Sequence, residues 1–294
     1  MLSILIPTYN QDVTALVSEL HRQAMEQYVD FEIIVAEDGS DKFQDKNKML
    51  EQLLFVKYIT FKYNIGRSAI RNKLADEAQY CHLLFIDCDA EVCSPYFIEK
   101  YLAFCHESCI VIGGTAYDAN ETNPAYSLRL TYGRKREARH ANERDKNNFA
   151  TFNFLISKDI FNQVRFDETI REYGNEDMIF GHALHQLGYE FIQIENPLIH
   201  KGLDENTLFL QKTGAATRNL LLMYKTGRYP YLQHESKLLK TFLLFEKLKL
   251  SPVLALIFTA FSSLIKRFLC SKKPSLVLYD LFKLGTICKI NMTK

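Results

Sequence analysis

His82-Leu83-Leu84-Phe85-Ile86-Asp87-Cys88-Asp89 is the stretch on which the reading of this chain turns. An apolar run passes directly into two carboxylates spaced i, i+2. At the C-terminal end of a strand in an α/β sheet, a ligand crevice opens. Two carboxylates there repel each other and lose hydration unless a cation sits beside them. A hard divalent metal bridging to phosphate oxygens satisfies both. The stretch therefore points to metal-dependent chemistry on a phosphorylated or nucleotide-bearing substrate. A chain of this length holds roughly one such pair by chance, so its context has to agree. The bland alternative is a strand end followed by an acid-capped helix starting near Ser94-Pro95.

Upstream, strands and helices alternate. Ser3–Ile6 reads as a strand, Val13–Tyr28 as a helix, Phe31–Ala36 as a strand and Lys42–Phe55 as broadly helical. Tyr58–Phe61 is a short strand, Ser68–Ala78 a helix and His82–Ile86 a strand. Short apolar strands alternating with helices predict a parallel sheet covered on both faces. Right-handed crossovers then set the strand C-termini along one edge. Tyr9-Asn10, Asp38-Gly39 and Asp87–Asp89 all fall at such ends. Downstream, Ser94–Cys105 reads as a helix and Cys109–Gly114 as a strand. Phe152–Ser157 reads as a strand, Lys158–Gln163 and Met178–Leu187 as helices, and Phe191–Ile194 as a strand. Between them, Tyr117–Asn148 is polar, irregular and rich in Arg129, Arg134, Lys135, Arg136, Arg139 and Arg144. It is either a solvated linker or a flap that meets phosphates.

The 294 residues, 47% of them hydrophobic, suit one large α/β domain or one domain with an appendage. A net charge of +1 provides no field toward nucleic acid. The seven cysteines, an odd count without a CxxC pair, read as reduced small hydrophobes of a cytosolic protein, and no zinc spacing is present. Met1–Pro7 already reads as a strand and lacks the features of a secretory leader.

A second acidic pair, Glu176-Asp177, follows Tyr173-Gly174-Asn175 at the start of a helix. Acids are favoured in a first turn, which accounts for one of them. A carboxylate facing a substrate edge there can also accept a hydroxyl proton. His200, after a strand, is a structural histidine or a metal ligand. From Ser236 onward apolar stretches alternate with Lys237, Lys240, Lys247, Lys266, Arg267, Lys272 and Lys273. Pro252–Ile265 falls short of the roughly 20 residues that span a bilayer. The pattern predicts helices lying in a membrane interface, with packing on the sheet domain or a dimer contact as the alternative.

In combination these elements resemble the family-2 inverting glycosyltransferases. The resemblance rests on Leu5-Ile6-Pro7-Thr8-Tyr9-Asn10, Glu32–Ser40, Asn64–Asn72, Phe85–Asp89, Tyr173–Asp177 and His200, and covers roughly residues 2–205. The nearest flavour is the chondroitin-polymerase and polypeptide N-acetylgalactosaminyltransferase branch. The resemblance implies a GT-A fold, a mostly parallel nucleotide-binding α/β sheet flanked by helices, over residues 1–232. Residues 233–294 would form a helical, membrane-associating extension. It implies a nucleotide-sugar donor, a UDP-sugar first, with Mn2+ or Mg2+, and a glycan or lipid-linked glycan acceptor. Pro7, Thr8 and Tyr9 would line the base pocket and Asp38 would bond the base. Arg71 and Arg67 would approach base or phosphates, and Asp87 the ribose or sugar. Asp89 and His200 would bind the metal, Asp177 would be the catalytic base, and Glu176 would hold the acceptor. Glu37 stands where the family commonly has Asp, and Asn175 where the branch has a second glycine. The expected location is the cytoplasm, peripheral on the inner membrane face. Two rival readings are a sugar nucleotidyltransferase, which would show a Gly-rich N-terminal loop, and an inert sugar-nucleotide or glycan-binding module. Intact Asp89, Asp177 and His200 argue against the second.

Overall fold

Leu2–Thr8, Phe31–Asp38 and His82–Ile86 are buried along nearly their whole length, so each must be covered on both faces. The computed structural model describes residues 1–171 and 174–292; Tyr173, part of the motif read above, lies outside the described residues. In chain order the elements are β1 (Leu2–Thr8), α1 (Thr14–Glu26), β2 (Phe31–Asp38), α2 (Gln44–Lys48), β3 (Val56–Phe61), α3 (Arg67–Glu77), β4 (His82–Ile86) and β5 (Ala90–Glu91). Then come α4 (Phe97–Leu102), β6 (Ile110–Ile112), β7 (Thr115–Ala116), α5 (Ser127–Tyr132), β8 (Asn153–Ser157), α6 (Lys158–Gln163), α7 (Glu176–Gln186), β9 (Ile192–Gln193) and β10 (Leu198–His200). Five helices close the chain: α8 (Asn206–Lys225), α9 (Leu232–Glu235), α10 (Lys237–Lys247), α11 (Ser251–Leu269) and α12 (Leu276–Met292).

The chain divides into two units. The first, residues 1–118, 136–171 and 176–202, holds a seven-stranded sheet in the order β3-β2-β1-β4-β8-β6-β9. Side chains alternate between its faces with a period of two. Leu2, Ile4, Ile6, Ile33, Val35, Leu84 and Ile86 join one apolar cluster with Leu16, Val17 and Leu20 of α1 and Phe97, Ile98 and Tyr101 of α4. Leu5, Ile34, Leu83 and Phe85 join the other, with Ile70 and Leu74 of α3 and Phe161, Phe180 and Leu184 of α6 and α7. β1, β2, β3 and β4 are parallel, as expected, whereas β8 is antiparallel to both β4 and β6. The chain builds outward from β1 to β2 and β3, then returns to set β4 on the other side of β1. This reversal of strand order opens the ligand crevice between the ends of β1 and β4. A separate three-stranded sheet, β5-β10-β7, pairs His200 with Ala90. All seven cysteines are free.

The second unit comprises residues 119–135, 174–175 and 203–292. Its C-terminal part starts at Leu203, so α8 groups with the C-terminal helices. Leu128 of α5, Leu210 of α8, Phe258 and Leu269 of α11, and Tyr279 and Phe282 of α12 form one apolar cluster. Asn206 fastens the 119–135 segment to α8: its Oδ1 accepts from the Leu128 amide (2.8 Å) and its Nδ2 donates to Pro124 O (2.9 Å). Gly285 lets α12 approach α11 closely, since a Cβ there would lie 2.4 Å from the Phe258 ring. The α11 helix is longer at both ends than its apolar run 252–265. At 19 residues it is about 28 Å long. Among the described residues it is the one helix long and apolar enough to cross a membrane.

The basic segment 117–148 is not a structureless flap. It contains α5 and short helical turns. Within it the Arg129 guanidinium lies over Phe209, 5.3 Å from the ring centre, and Arg134 donates to Glu121 O (2.7 Å). Arg144 donates to Ile194 O (3.0 Å) and Arg139 O (2.9 Å).

Candidate active site

Polar side chains at the ends of β1 and β2 stitch the two loops together. Asn10, in the left-handed region at φ 52°, accepts on Oδ1 from the amides of Asp41 (2.7 Å) and Lys42 (3.1 Å). Its own amide donates to Ser40 Oγ. Buried Glu37 accepts from Ser40 Oγ and from Asn47 Nδ2 (2.7 Å), and Asn47 also accepts from the Val13 amide. Glu37 thus braces the loops around the β1 end. Pro7 and Thr8 complete β1, with Thr8 buried, and Tyr9 projects half-exposed beyond it. Asp38, also buried, accepts from the amides of Ile65 (2.6 Å) and Gly66 (3.2 Å). It pins the turn that starts α3, and its burial pushes its pKa up. Each of its oxygens keeps a further lone pair for a ligand.

Arg71, on α3, is 3% exposed and bonds Asp87 Oδ1 at 2.7 Å. Its guanidinium also lies 5.5 Å from the centre of the Phe166 ring. Arg71 therefore fixes the orientation of Asp87. Arg67, one turn earlier, is largely exposed and lies 3.6 Å from Glu176 Oε1.

Sheet register brings Asp89 and His200 together. β10 runs antiparallel to β5 with His200 opposite Ala90, and the Lys201 amide donates to Asp89 O at 2.8 Å. His200 Nε2 lies 3.6 Å from Asp89 Oδ2. The imidazole stacks against Phe152 (5.3 Å) and Tyr117 (5.7 Å), which hold its plane. Burial pushes the Asp89 pKa up; His200 opposes this and Asp87 adds to it. Burial thus outweighs the neighbouring His200 and Arg67 at this carboxylate. Gly202 leaves the space beside it clear, since a Cβ there would lie 2.2 Å from Asp89 Oδ2.

This donor set fits a divalent cation. A carboxylate and an imidazole suit Mn2+, and at 3.6 Å the two atoms are close enough for one cation to reach both at about 2.1 Å from each. Among the described residues no group of three or more such side chains converges. Two protein ligands suit a cation that shares its other positions with substrate phosphates and water.

Glu176 and Asp177 open α7. Two consecutive left-handed residues, Gly174 (φ 89°) and Asn175 (φ 76°), make the reversal before it. Asn tolerates that conformation better than other side-chain-bearing residues, which explains how it stands in for a glycine. Asn175 Nδ2 donates to Ala216 O (3.2 Å), and Asn219 Nδ2 to Gly174 O (2.9 Å), both on α8. The pKa of Asp177 is pushed up to about 6, first by burial and then by Glu176, with the Met178 amide, Arg71 and Arg67 pulling it down. Arg67 acts electrostatically on both Asp89 and Asp177, so the two acidic sites converge on it.

Sequence reasoning named both acidic pairs and His200. It missed Gly202, Tyr117, Phe152 and Asn47, whose roles come from packing and carry no motif.

Residues 3–165 match the family model described as Glycosyl transferase family 2. The chain belongs to that family. Over 276 residues it is 23% identical to the Chondroitin synthase of Escherichia coli, covering 80% of this chain and 39% of that protein. The chain thus spans about two-fifths of that relative's length, 39%. Among solved structures, it resembles the mannosyltransferase PcManGT from Pyrobaculum calidifontis in complex with GDP-Man and Mn2+. That likeness has a TM-score of 0.60 at 12% identity and covers 100% of this chain and 87% of that one. It also resembles S. aureus TarS 1-349 in complex with UDP-GlcNAc, with a TM-score of 0.52 at 15% identity over 97% and 90% of the two chains. The fold of this glycosyltransferase is GT-A.

Proposed function

We propose that this family-2 glycosyltransferase moves a sugar from a UDP-sugar to a hydroxyl of a glycan or lipid-linked glycan, with inversion and with a divalent metal. The observation that carries the reading is the Asp89–His200 pair, 3.6 Å apart over the clearance at Gly202. A nucleotide-sugar donor is supported by the complexes of its structural neighbours with GDP-Man and Mn2+ and with UDP-GlcNAc. The likeness to Chondroitin synthase supports a glycan acceptor.

Asp89 and His200 would hold a divalent cation, which would supply counter-charge to a nucleoside diphosphate leaving group. The chain's own residues do the rest. Pro7, Thr8 and Tyr9 offer the edge of the base pocket, and Asp38 a buried acceptor beside it. Arg71 holds Asp87 in place for the ribose or sugar hydroxyls. Asp177 takes the proton of the attacking hydroxyl, with a pKa low enough to be ionised at neutrality and high enough to accept a proton. Glu176 positions the acceptor, and Arg67 beside it offers a cation at the mouth of the site. Attack on the face opposite the diphosphate inverts the anomeric centre. A screen of UDP-, GDP- and dTDP-sugars for nucleoside diphosphate release with Mn2+ tests the reading; release from none of them, with or without a glycan acceptor, contradicts it.

The proposed location is the cytoplasmic face of a membrane. Val253, Leu256, Ile257, Phe261, Leu264 and Phe268 form an exposed apolar stripe on α11. Lys266, Arg267, Lys272 and Lys273 follow at its C-terminal end. Apolar burial in the interface and attraction to anionic lipid add together in such a surface.

A further inference from the structure

We infer that the second unit holds a binding cavity for a lipid phosphate, an anionic head on an apolar chain. This deepens the acceptor side of the proposed function and rests on that reading for the lipid's role, though not for the binding itself. A cavity of about 1050 Å3 lies among α8, α11 and α12. Each helix contributes one cation: Arg218 from α8, Lys266 from α11 and Lys289 from α12. No carboxylate lines it among the described residues. The side chains of Arg218 and Lys266 have no hydrogen-bond or ion-pair partner among the described residues. Arg218 and Lys266, two like charges facing one space, repel each other unless an anion joins them. An arginine fork together with lysine ammonium groups matches the geometry and charge of a phosphate.

The rest of the wall is mixed, with an apolar part set among the polar side chains of Thr207, Gln211, Ser262 and Thr286. Leu210 and Leu222 of α8, Phe258 of α11 and Phe282 of α12 supply the apolar part. Gly214 faces open space, with nothing within 4 Å of where its Cβ would lie. A free phosphate or a nucleotide would leave these apolar side chains wet; an alkyl or isoprenoid chain would cover them. The space is open to solvent on one side and about as large as the largest small-ligand sites. The helix that supplies Lys266 and Phe258 to the cavity carries the exposed stripe through Leu256, Phe261 and Leu264 elsewhere on its surface. The same helix therefore presents both a wall of the cavity and a surface suited to a membrane interface. Asn219, beside Arg218 and also lining the cavity, donates to Gly174 O, two residues before Glu176 in the chain.

The test is calorimetric titration of the full chain with dodecyl phosphate below its micelle concentration. Inorganic phosphate and dodecyl maltoside serve as the head-only and neutral-head comparisons. Two variants are made: a double variant, Arg218→Gln with Lys266→Gln, and Gly214→Leu, which fills the open space. Arg218 and Lys266 are exposed, so the double variant keeps its fold, checked by an unchanged Tm without ligand. The expected result is one saturable dodecyl phosphate site per chain, weakened at least about tenfold in both variants and for both comparison compounds. Equal binding of dodecyl phosphate by parent and both variants overturns the proposal. So does inorganic phosphate or dodecyl maltoside binding as tightly as dodecyl phosphate. Acceptor-free donor hydrolysis by the double variant is expected at the parental rate; because that assay reads the glycosyltransferase site alone, the two readings fail separately.

Discussion

Asp89 and Gly202 form a matched pair, and each predicts the behaviour of the other. Asp89→Ala removes the only carboxylate of the proposed metal pair and should lower the turnover number on the order of 10²–10³-fold, measured as nucleoside diphosphate release. Gly202→Ala should do nearly as much harm from outside any motif, because its Cβ would lie 2.2 Å from Asp89 Oδ2 and must push the carboxylate aside. A Gly202→Ala variant with parental turnover and parental Mn2+ dependence would show that the carboxylate position does not matter. At the other acidic pair, Asp177→Asn keeps the shape but cannot accept a proton, so turnover should fall about 10²–10⁴-fold with donor binding retained. The sign of the pH dependence follows from the raised pKa. The base is ionised above about 6, so kcat/KM should fall tenfold per pH unit as pH drops below about 6 and level off above it. Glu176, Arg67 and Arg71 are the charged groups that face it. The same raised pKa means that ionised Asp177 disfavours the folded state, so the Asn variant should not lose Tm at pH 8. The acidic residues were legible in the sequence because a carboxylate at a strand or helix end is conspicuous. Gly202 was not, since its reason is a distance to a residue more than a hundred positions away.

At the scale of elements, the parallel core was legible because its strands are apolar without interruption. β1, β2 and β4 stand where their hydrophobic runs predict, and Phe85 shows what they contribute. It is fully buried in a stack with Phe154 (4.9 Å) and Phe161 (5.4 Å). Phe85→Ala should cost about 3–5 kcal/mol in denaturant unfolding; a loss below 1 kcal/mol would mean that this stack does not hold β4 to α6. Other elements were read less well. The helix expected over Lys42–Phe55 is only Gln44–Lys48 followed by a tighter turn, Met49–Gln52. Ser94–Cys105 contracts to Phe97–Leu102. β5, β7 and β10 have two or three residues each, too few for any periodicity to register. Yet these short strands set His200 beside Asp89. The basic segment 117–148 looked unstructured because its cations are conspicuous in sequence, while the carbonyls and the ring they bind are supplied by distant residues.

At the scale of the whole molecule, the sequence pattern and the packing place the division differently. Composition changes at Ser236, whereas α8, which shows little apolar excess, is joined to the C-terminal helices by contacts with α12 and to α5 of the same unit. The exposed stripe on α11 and the lysines after it predict that the full chain floats with anionic liposomes at low salt and is released at high salt. A chain that stays in the soluble fraction at low salt would make the stripe a protein contact and remove the membrane from the account. The central claim is metal-dependent sugar transfer through the Asp89–His200 pair, and an Mn2+ titration of nucleoside diphosphate release tests it most directly. With the parent chain, release should be abolished by EDTA and restored by Mn2+, and His200→Ala should need severalfold more Mn2+ for half-maximal release. Full release in EDTA, or an unchanged Mn2+ titration in His200→Ala, would contradict it.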